Sequence, residues 1–596
     1  MKKFKKGLVC CILALTLVFS LTGGISISAD EEIAMAKISE ALKEKMASSE
    51  TVQIFVWLKD SIKKEDVQAQ VFEELKIGEK EQKLILGEIE DGTIDDDLLN
   101  SYIERKNDVY SELYIKNNSE LVSKYFKDEK CLFMSVLTPM AVFEVESSKV
   151  EKIAQYEDVK LLDLYEYNPK NLLSTSLSLI QSNTVNNTYE YTGAGVKIGQ
   201  VEVAAPDYSV NNVVVRNENA ELINYPGYIY YTDHATLVAG IINSVAPDAK
   251  IYSASTEAYY TLTNICENAQ GFTPAVEWLI TTHNIINSSC TPYDYTYFYD
   301  SYCLWADHIS INHDVHFVQS AGNDGGARVC SPGMAYNVIT VGNLNDNNSL
   351  ELNDDILAFD SSYSVLPKDY FIPYKPDLVA PGTNITYNGI TNTGTSFAAP
   401  HVTGAIALMC EQKNTLKVQQ RVVKAVLAAT TNSQSPHYYS PADWDYLQLN
   451  NYSHYGAGIL NCKNAYTTVN YSRYFNGTFS KTQVESETVK THSFNVTSGM
   501  THIRVALAYL STVNGYSHYV ASNTATEGQE QSIPNLNIKV YYGNTPVDTS
   551  ASPKGNIEII DFDPRNYGTG TYTIKVYPST SPSDIPNTTY YTVAWW

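Results

Sequence analysis

The stretch Thr391-Asn392-Thr393-Gly394-Thr395-Ser396-Phe397-Ala398-Ala399-Pro400-His401-Val402-Thr403-Gly404 sets a serine among small residues, ahead of an apolar run that continues to Met409. Small neighbours let a backbone and a ligand approach Ser396 closely, and the apolar run predicts a buried helix beginning at the serine. There, backbone N–H groups and the helix dipole stabilise negative charge. Pro400 is expected within the first helical turn, where no backbone donor is needed. A lone Thr-Ser pair would be an ordinary helix N-cap. A cap does not require the small residues that surround this one.

Outward from this stretch, apolar runs at 196–203, 250–254, 285–288, 315–320 and 338–341 alternate with helical segments across residues 190–465. That alternation predicts an α/β domain with a mainly parallel central sheet. Ahead of it, residues 30–130 read as Lys/Glu-rich helices interrupted by an apolar strand at 52–58. Runs at 141–145 and 159–164 flank a helix at 147–155, the pattern of a small α/β unit. Beyond residue 475 helical periodicity is lost. Short alternating runs at 503–510, 536–542, 556–562, 570–576 and 590–595, set between Gly, Asn and Pro turns, predict an all-β sandwich. The expected organisation is 1–29, 30–175, 176–468 and 469–596.

Residues 1–29 carry Lys2, Lys3, Lys5 and Lys6, an apolar run from Leu8 to Leu21, and the small residues Ser26-Ile27-Ser28-Ala29. This is the form of a secretory signal, and the run is short for a membrane span. The mature chain is therefore expected outside the cell, with no stable membrane anchor. Of the 596 residues 44% are hydrophobic and 18% charged, which excludes global disorder. A net charge of −24 repels phosphate backbones, so nucleic acid is not an expected partner. Nine cysteines form no Cys-x-x-Cys pair and there is no His-Glu-x-x-His, so no metal site is assigned.

The serine stretch resembles the nucleophile signature of the subtilisin-like serine proteases. Asp233-His234-Ala235-Thr236-Leu237-Val238-Ala239-Gly240-Ile241 is similar to that family's histidine motif. Gln319-Ser320-Ala321-Gly322-Asn323-Asp324-Gly325 resembles its oxyanion segment, and Lys375-Pro376-Asp377-Leu378-Val379-Ala380-Pro381-Gly382 the stretch before its serine. The likeness covers about residues 185–466, in the order acid, His, Ser. It implies a subtilisin-like α/β domain in which Ser396 is the nucleophile, His234 the base and Asn323 an oxyanion donor. Ser289, Cys290, Thr291 and Gly322 would lie against the substrate. Residues 30–175 resemble the family's propeptide with a helical insertion, an intramolecular inhibitor cut near 165–178, and residues 469–596 its appended β-sandwich. The sandwich reads equally well as a stability cap or as a substrate-binding module.

The acid departs from the pattern. Where the family ends a strand in Asp, the stretch Gly193-Ala194-Gly195-Val196-Lys197-Ile198-Gly199-Gln200-Val201-Glu202 presents Glu202, one methylene longer. Glu202 is preferred over Asp207, which lies beyond Pro206. Ala235 stands where Gly is usual, and Asn287-Ser288-Ser289-Cys290-Thr291 replaces the usual substrate-edge sequence. The expected activity is a secreted, self-processed serine endopeptidase, monomeric, acting on proteins and needing no cofactor, with structural calcium unassigned. The alternative is a catalytically silent homologue that binds peptides. An α/β-hydrolase fits poorly, because Gly394-Thr395-Ser396-Phe397-Ala398 lacks the second glycine of its nucleophile turn.

Overall fold

The computed structural model describes residues 34–89, 92–165, 177–215, 231–260, 262, 269–290, 299–326, 329–347, 349–352, 355–364, 374–432, 454–511, 535–551, 555–579 and 588–596. The expected signal segment, and residues 166–176 of the expected cleavage region near 165–178, lie outside them.

Strand β1 (Thr51–Leu58) is apolar on both faces and buried along most of its length, so it takes an interior place in its sheet. It runs antiparallel between β3 (Met140–Glu146) and β4 (Val159–Leu164), with β2 (Lys130–Met134) outside β3. Helices Lys64–Glu74, Glu79–Leu86 and the 30-residue Asp96–Tyr125 are inserted between β1 and β2.

The second sheet has eight strands. β5 (Lys197–Glu202) pairs in parallel with β7 (Lys250–Ser255) and β10 (Asn287–Cys290); β6 (Val213–Val215) flanks β7. β11 (His316–Ser320), β12 (Ile339–Asn345) and β14 (Leu378–Pro381) continue the parallel run, and only β13 (Ile356–Leu357) is antiparallel. Successive side chains on a strand point to opposite faces. Val318 accordingly joins the core beneath helices Asp233–Val245 and Thr395–Gln412, and Phe317 the core beneath Phe272–His283 and Ser301–Asn312. The two helices on the first face cross closely: a Cβ on Gly404 would sit 2.6 Å from Val245.

Phe55, Trp57, Phe133 and Met140 of the N-terminal sheet share the second core with Phe272, Tyr302 and Trp305. Two small antiparallel pairs, β8 (Tyr259–Tyr260) with β9 (Ala269–Gln270) and β15 (Ile385–Tyr387) with β16 (Ile390–Asn392), lie outside the eight-stranded sheet. The C-terminal residues form two four-stranded antiparallel sheets. One has the order β17 (Tyr474–Ser480), β24 (Thr588–Trp595), β19 (Ile503–Tyr509), β22 (Ile557–Phe562); the other β18 (Lys490–Val496), β23 (Gly570–Pro578), β20 (Leu536–Tyr542), β21 (Thr545–Ser550). Ala506, Ala508 and Ala594 of the first sheet pack into the core shared with helix Gln420–Thr430. Arg504 ties the domains together: its Nε and Nη2 donate to Asp561, and its Nη1 donates to Thr431 Oγ1 and the Ala457 carbonyl. Among the described residues no helix is long and apolar enough to cross a membrane.

Candidate active site

Glu202 is the last residue of β5, at the carboxyl edge of the parallel sheet, and is 1% exposed. His234 is the second residue of helix Asp233–Val245. Thr232 caps that helix, its Oγ1 accepting from the Ala235 N–H at 3.1 Å. Gln200, two residues before Glu202, donates from Nε2 to the Ala235 carbonyl at 2.8 Å and so links the acid's strand to the histidine's helix. Ser396 is the second residue of helix Thr395–Gln412. The three side chains meet although Glu202 and His234 are 32 residues apart, and His234 and Ser396 162.

Nδ1 of His234 lies 2.7 Å from Glu202 Oε2, and Nε2 lies 3.0 Å from Ser396 Oγ. An ionised carboxylate only accepts, so Nδ1–H donates to Glu202 and the bare Nε2 accepts from the serine hydroxyl. This is the tautomer a general base needs. The Phe397 ring packs on the imidazole with centroids 4.6 Å apart.

Asn323 is half-buried in the turn after β11. Its Oδ1 accepts from the Thr395 N–H at 2.8 Å and from Thr395 Oγ1 at 2.9 Å, and Thr395 Oγ1 in turn accepts from the Gly322 N–H at 3.1 Å. With its carbonyl end held beside the serine, the amide donor of Asn323 is left for a ligand. Gly322 has φ +106°, and a Cβ there would lie 2.8 Å from Cys330 Sγ, so the turn requires glycine.

Asp207 is not part of the cluster: its Oδ1 accepts from the Ser209 N–H and hydroxyl, closing a local turn. Ser289 is fully buried and β10 is paired on both sides, with Gln200 and with Val318 opposite it, so it offers neither a side chain nor a free edge to substrate. Cys290 ends that strand, and Thr291 lies outside the described residues. Gly322 gives its N–H to Thr395. Pro400 corrects an expectation. The helix begins at Thr395, so the proline falls in its second turn and removes the donor that would have met the Ser396 carbonyl. Sequence reading missed Gln200, Thr232 and Thr395 as supports; a polar residue inside an apolar strand was the available signal for Gln200. Among the described residues no cluster of three or more His, Cys, Asp or Glu is arranged to hold a metal ion.

A family model described as "Subtilase family" matches residues 109–458. The chain is 32% identical over 167 residues to serine protease AprX of Bacillus subtilis, covering 24% of this chain and 34% of that protein. It is 28% identical over 252 residues to an alkaline protease of Alkalihalobacillus alcalophilus, covering 40% of this chain and 59% of the relative. The same identity and length hold against subtilisin Savinase of Lederbergia lenta, of which 84% is covered. The chain thus spans about a third of the first relative and under two thirds of the second. With the family match extending over more than half of its residues, the chain belongs to the subtilase family.

Proposed function

We propose that the protein is a serine endopeptidase that cleaves proteins through an acyl-enzyme on Ser396. The observation that carries this reading is the unbroken line Glu202–His234–Ser396, at 2.7 and 3.0 Å, in a buried site. As Ser396 Oγ bonds to the substrate carbonyl carbon, its proton passes to His234 Nε2, and Glu202 stabilises the imidazolium. The negative charge that develops on the carbonyl oxygen meets the Asn323 amide. Collapse of the intermediate breaks the C–N bond, and His234 returns the proton to the leaving amine. Water, deprotonated by the same imidazole, then hydrolyses the ester and frees Ser396.

Residues 1–29 support export, and residues 30–175 support synthesis as a zymogen whose N-terminal unit inhibits the site until the chain is cut. The alanine-lined contact of the β-sandwich with helix Gln420–Thr430 favours a stabilising cap over a mobile binding module. The protein is proposed to act as a monomer without a cofactor. Covalent labelling by a fluorophosphonate tests the reading. The processed protein should label and Ser396→Ala should not; an unlabelled native protein would support the peptide-binding homologue instead.

A further inference from the structure

We propose that residues 34–165 stay bound as a permanent second subunit after the chain is cut, because the helical insertion anchors them to the end of the sheet remote from Ser396. The proposal rests on the zymogen reading above. An inhibitor that leaves needs only to cover the cleft; the contacts made by this insertion lie elsewhere.

Strand polarity locates them. Glu202 and Cys290 close the carboxyl ends of β5 and β10, whereas Ile286 and Asp314 stand just ahead of β10 and β11, at the amino ends. Lys106, from the middle of helix Asp96–Tyr125, is fully buried and places its Nζ 2.5 Å from Asp314 Oδ2. Lys64 donates to Asp314 Oδ1 at 2.9 Å and to the Ile311 carbonyl. His313 bridges Asn107 and the Leu137 carbonyl. Around this polar centre, Val67, Phe72, Tyr102 and Tyr110 share an apolar core with Ile286 and Val418.

Two further attachments lie on either side. Towards the β-sandwich, Gln419 donates to the Leu84 carbonyl at 2.7 Å, Arg421 Nη2 to the Leu86 carbonyl at 2.8 Å, and Asn414 Nδ2 to the Ile94 carbonyl at 2.6 Å. On the outer helices, the buried Glu277 accepts from Ser135 Oγ at 2.6 Å and from the Val136 N–H at 3.0 Å, beside the aromatic core of Phe55, Trp57 and Phe133. Release requires all three areas to open together. A buried pair such as Lys106–Asp314 strongly resists loss of one partner, since the survivor is left uncompensated. The insertion therefore converts a transient inhibitor interface into a subunit interface.

The test uses two full-length proteins. Processed wild-type chain is run on gel filtration at nanomolar concentration and then on a denaturing gel. A Ser396→Ala chain, with a site for an unrelated protease placed within 166–176, is cut in vitro and treated likewise. Both should give two fragments that co-elute, and the wild-type complex should hydrolyse peptides. Fragments that separate in the cut Ser396→Ala protein overturn the proposal. So does a co-eluting wild-type complex that is inactive while its isolated catalytic fragment is active. Failure of self-processing shows separately, as an uncut wild-type chain, and leaves the Ser396→Ala result decisive. Asp314→Asn, or the milder Lys64→Met, should raise the fragment dissociation constant, by on the order of 10²-fold for Asp314→Asn; unchanged affinity in both overturns the anchoring role given to Asp314.

Discussion

Replacing Glu202 by aspartate, the acid usual in relatives with this motif, should impair the protein. The substitution removes one methylene, and a C–C bond of about 1.5 Å sets the retreat of the carboxylate at slightly more than 1 Å. The 2.7 Å contact to His234 Nδ1 would open to about 4 Å, outside hydrogen-bond range. The backbone has little freedom to close that gap. Glu202 is in register with Ser255, Val201 with Cys290, the Glu202 carbonyl accepts from the Thr256 N–H at 2.7 Å, and Gln200 ties the strand to Ala235. A misplacement of about 1 Å costs roughly 10²-fold in rate, equivalent to about 2.7 kcal/mol of barrier. The assay is steady-state hydrolysis of a chromogenic peptide by purified, processed protein, with kcat and KM resolved; the loss should fall on kcat. Glu202→Gln, which keeps the length and loses the charge, should cost on the order of 10⁴-fold. An aspartate variant within threefold of wild type would refute the reasoning, and loss of activity in Asp207→Ala would then move the acid to that residue.

Asn323→Ala should lower kcat by roughly 10²–10³-fold with little change in KM, because its amide meets charge that exists only in the transition state; a change confined to KM would contradict the oxyanion role. Glu277 supplies a pH test. Burial pushes its carboxyl up to about 7, against hydrogen bonds from Ser135, Trp305 and Val136 that pull it down. The folded state therefore keeps this proton to higher pH than the unfolded chain. The stability it contributes is complete below about pH 4.5 and is lost as pH rises through about 7. In a Ser396→Ala background, wild-type Glu277 should lose roughly 3 kcal/mol relative to Glu277→Gln between pH 4.5 and 8, by denaturant unfolding; a pH-independent difference would refute the assignment.

The parts of the architecture visible in the chain are those written in local pattern. Apolar runs marked β1, β5, β7 and β11, because strands buried on both faces have little polar interruption. Strands β17 and β18 (Lys490–Val496) were missed for the converse reason. In β17 only Tyr474 and Phe479 are buried, with half-buried residues between them, and in β18 only Phe494 and Val496, among half-buried and exposed polar residues, so neither strand shows a clear apolar alternation. Pro400 was misplaced because the start of its helix depends on where Gly394 leaves the preceding hairpin, β15 (Ile385–Tyr387) with β16 (Ile390–Asn392).

The sequence carried the kind of chemistry: a serine among small residues in its local pattern and, through the resemblance of its motifs to those of the family, a histidine at a helix start, an asparagine beside a glycine, and a glutamate ending a strand. These are identities and local spacings, and spacing is conserved when a chain folds. Tertiary structure decided which groups touch. It chose Glu202 over Asp207, turned the Asn323 carbonyl towards Thr395, sealed Ser289 inside the sheet, and joined Lys106 to Asp314 across 208 residues. Such pairings depend on strand register and on the direction in which helices cross the sheet. Both are set by the packing of cores assembled from distant segments, so no single window of sequence contains them.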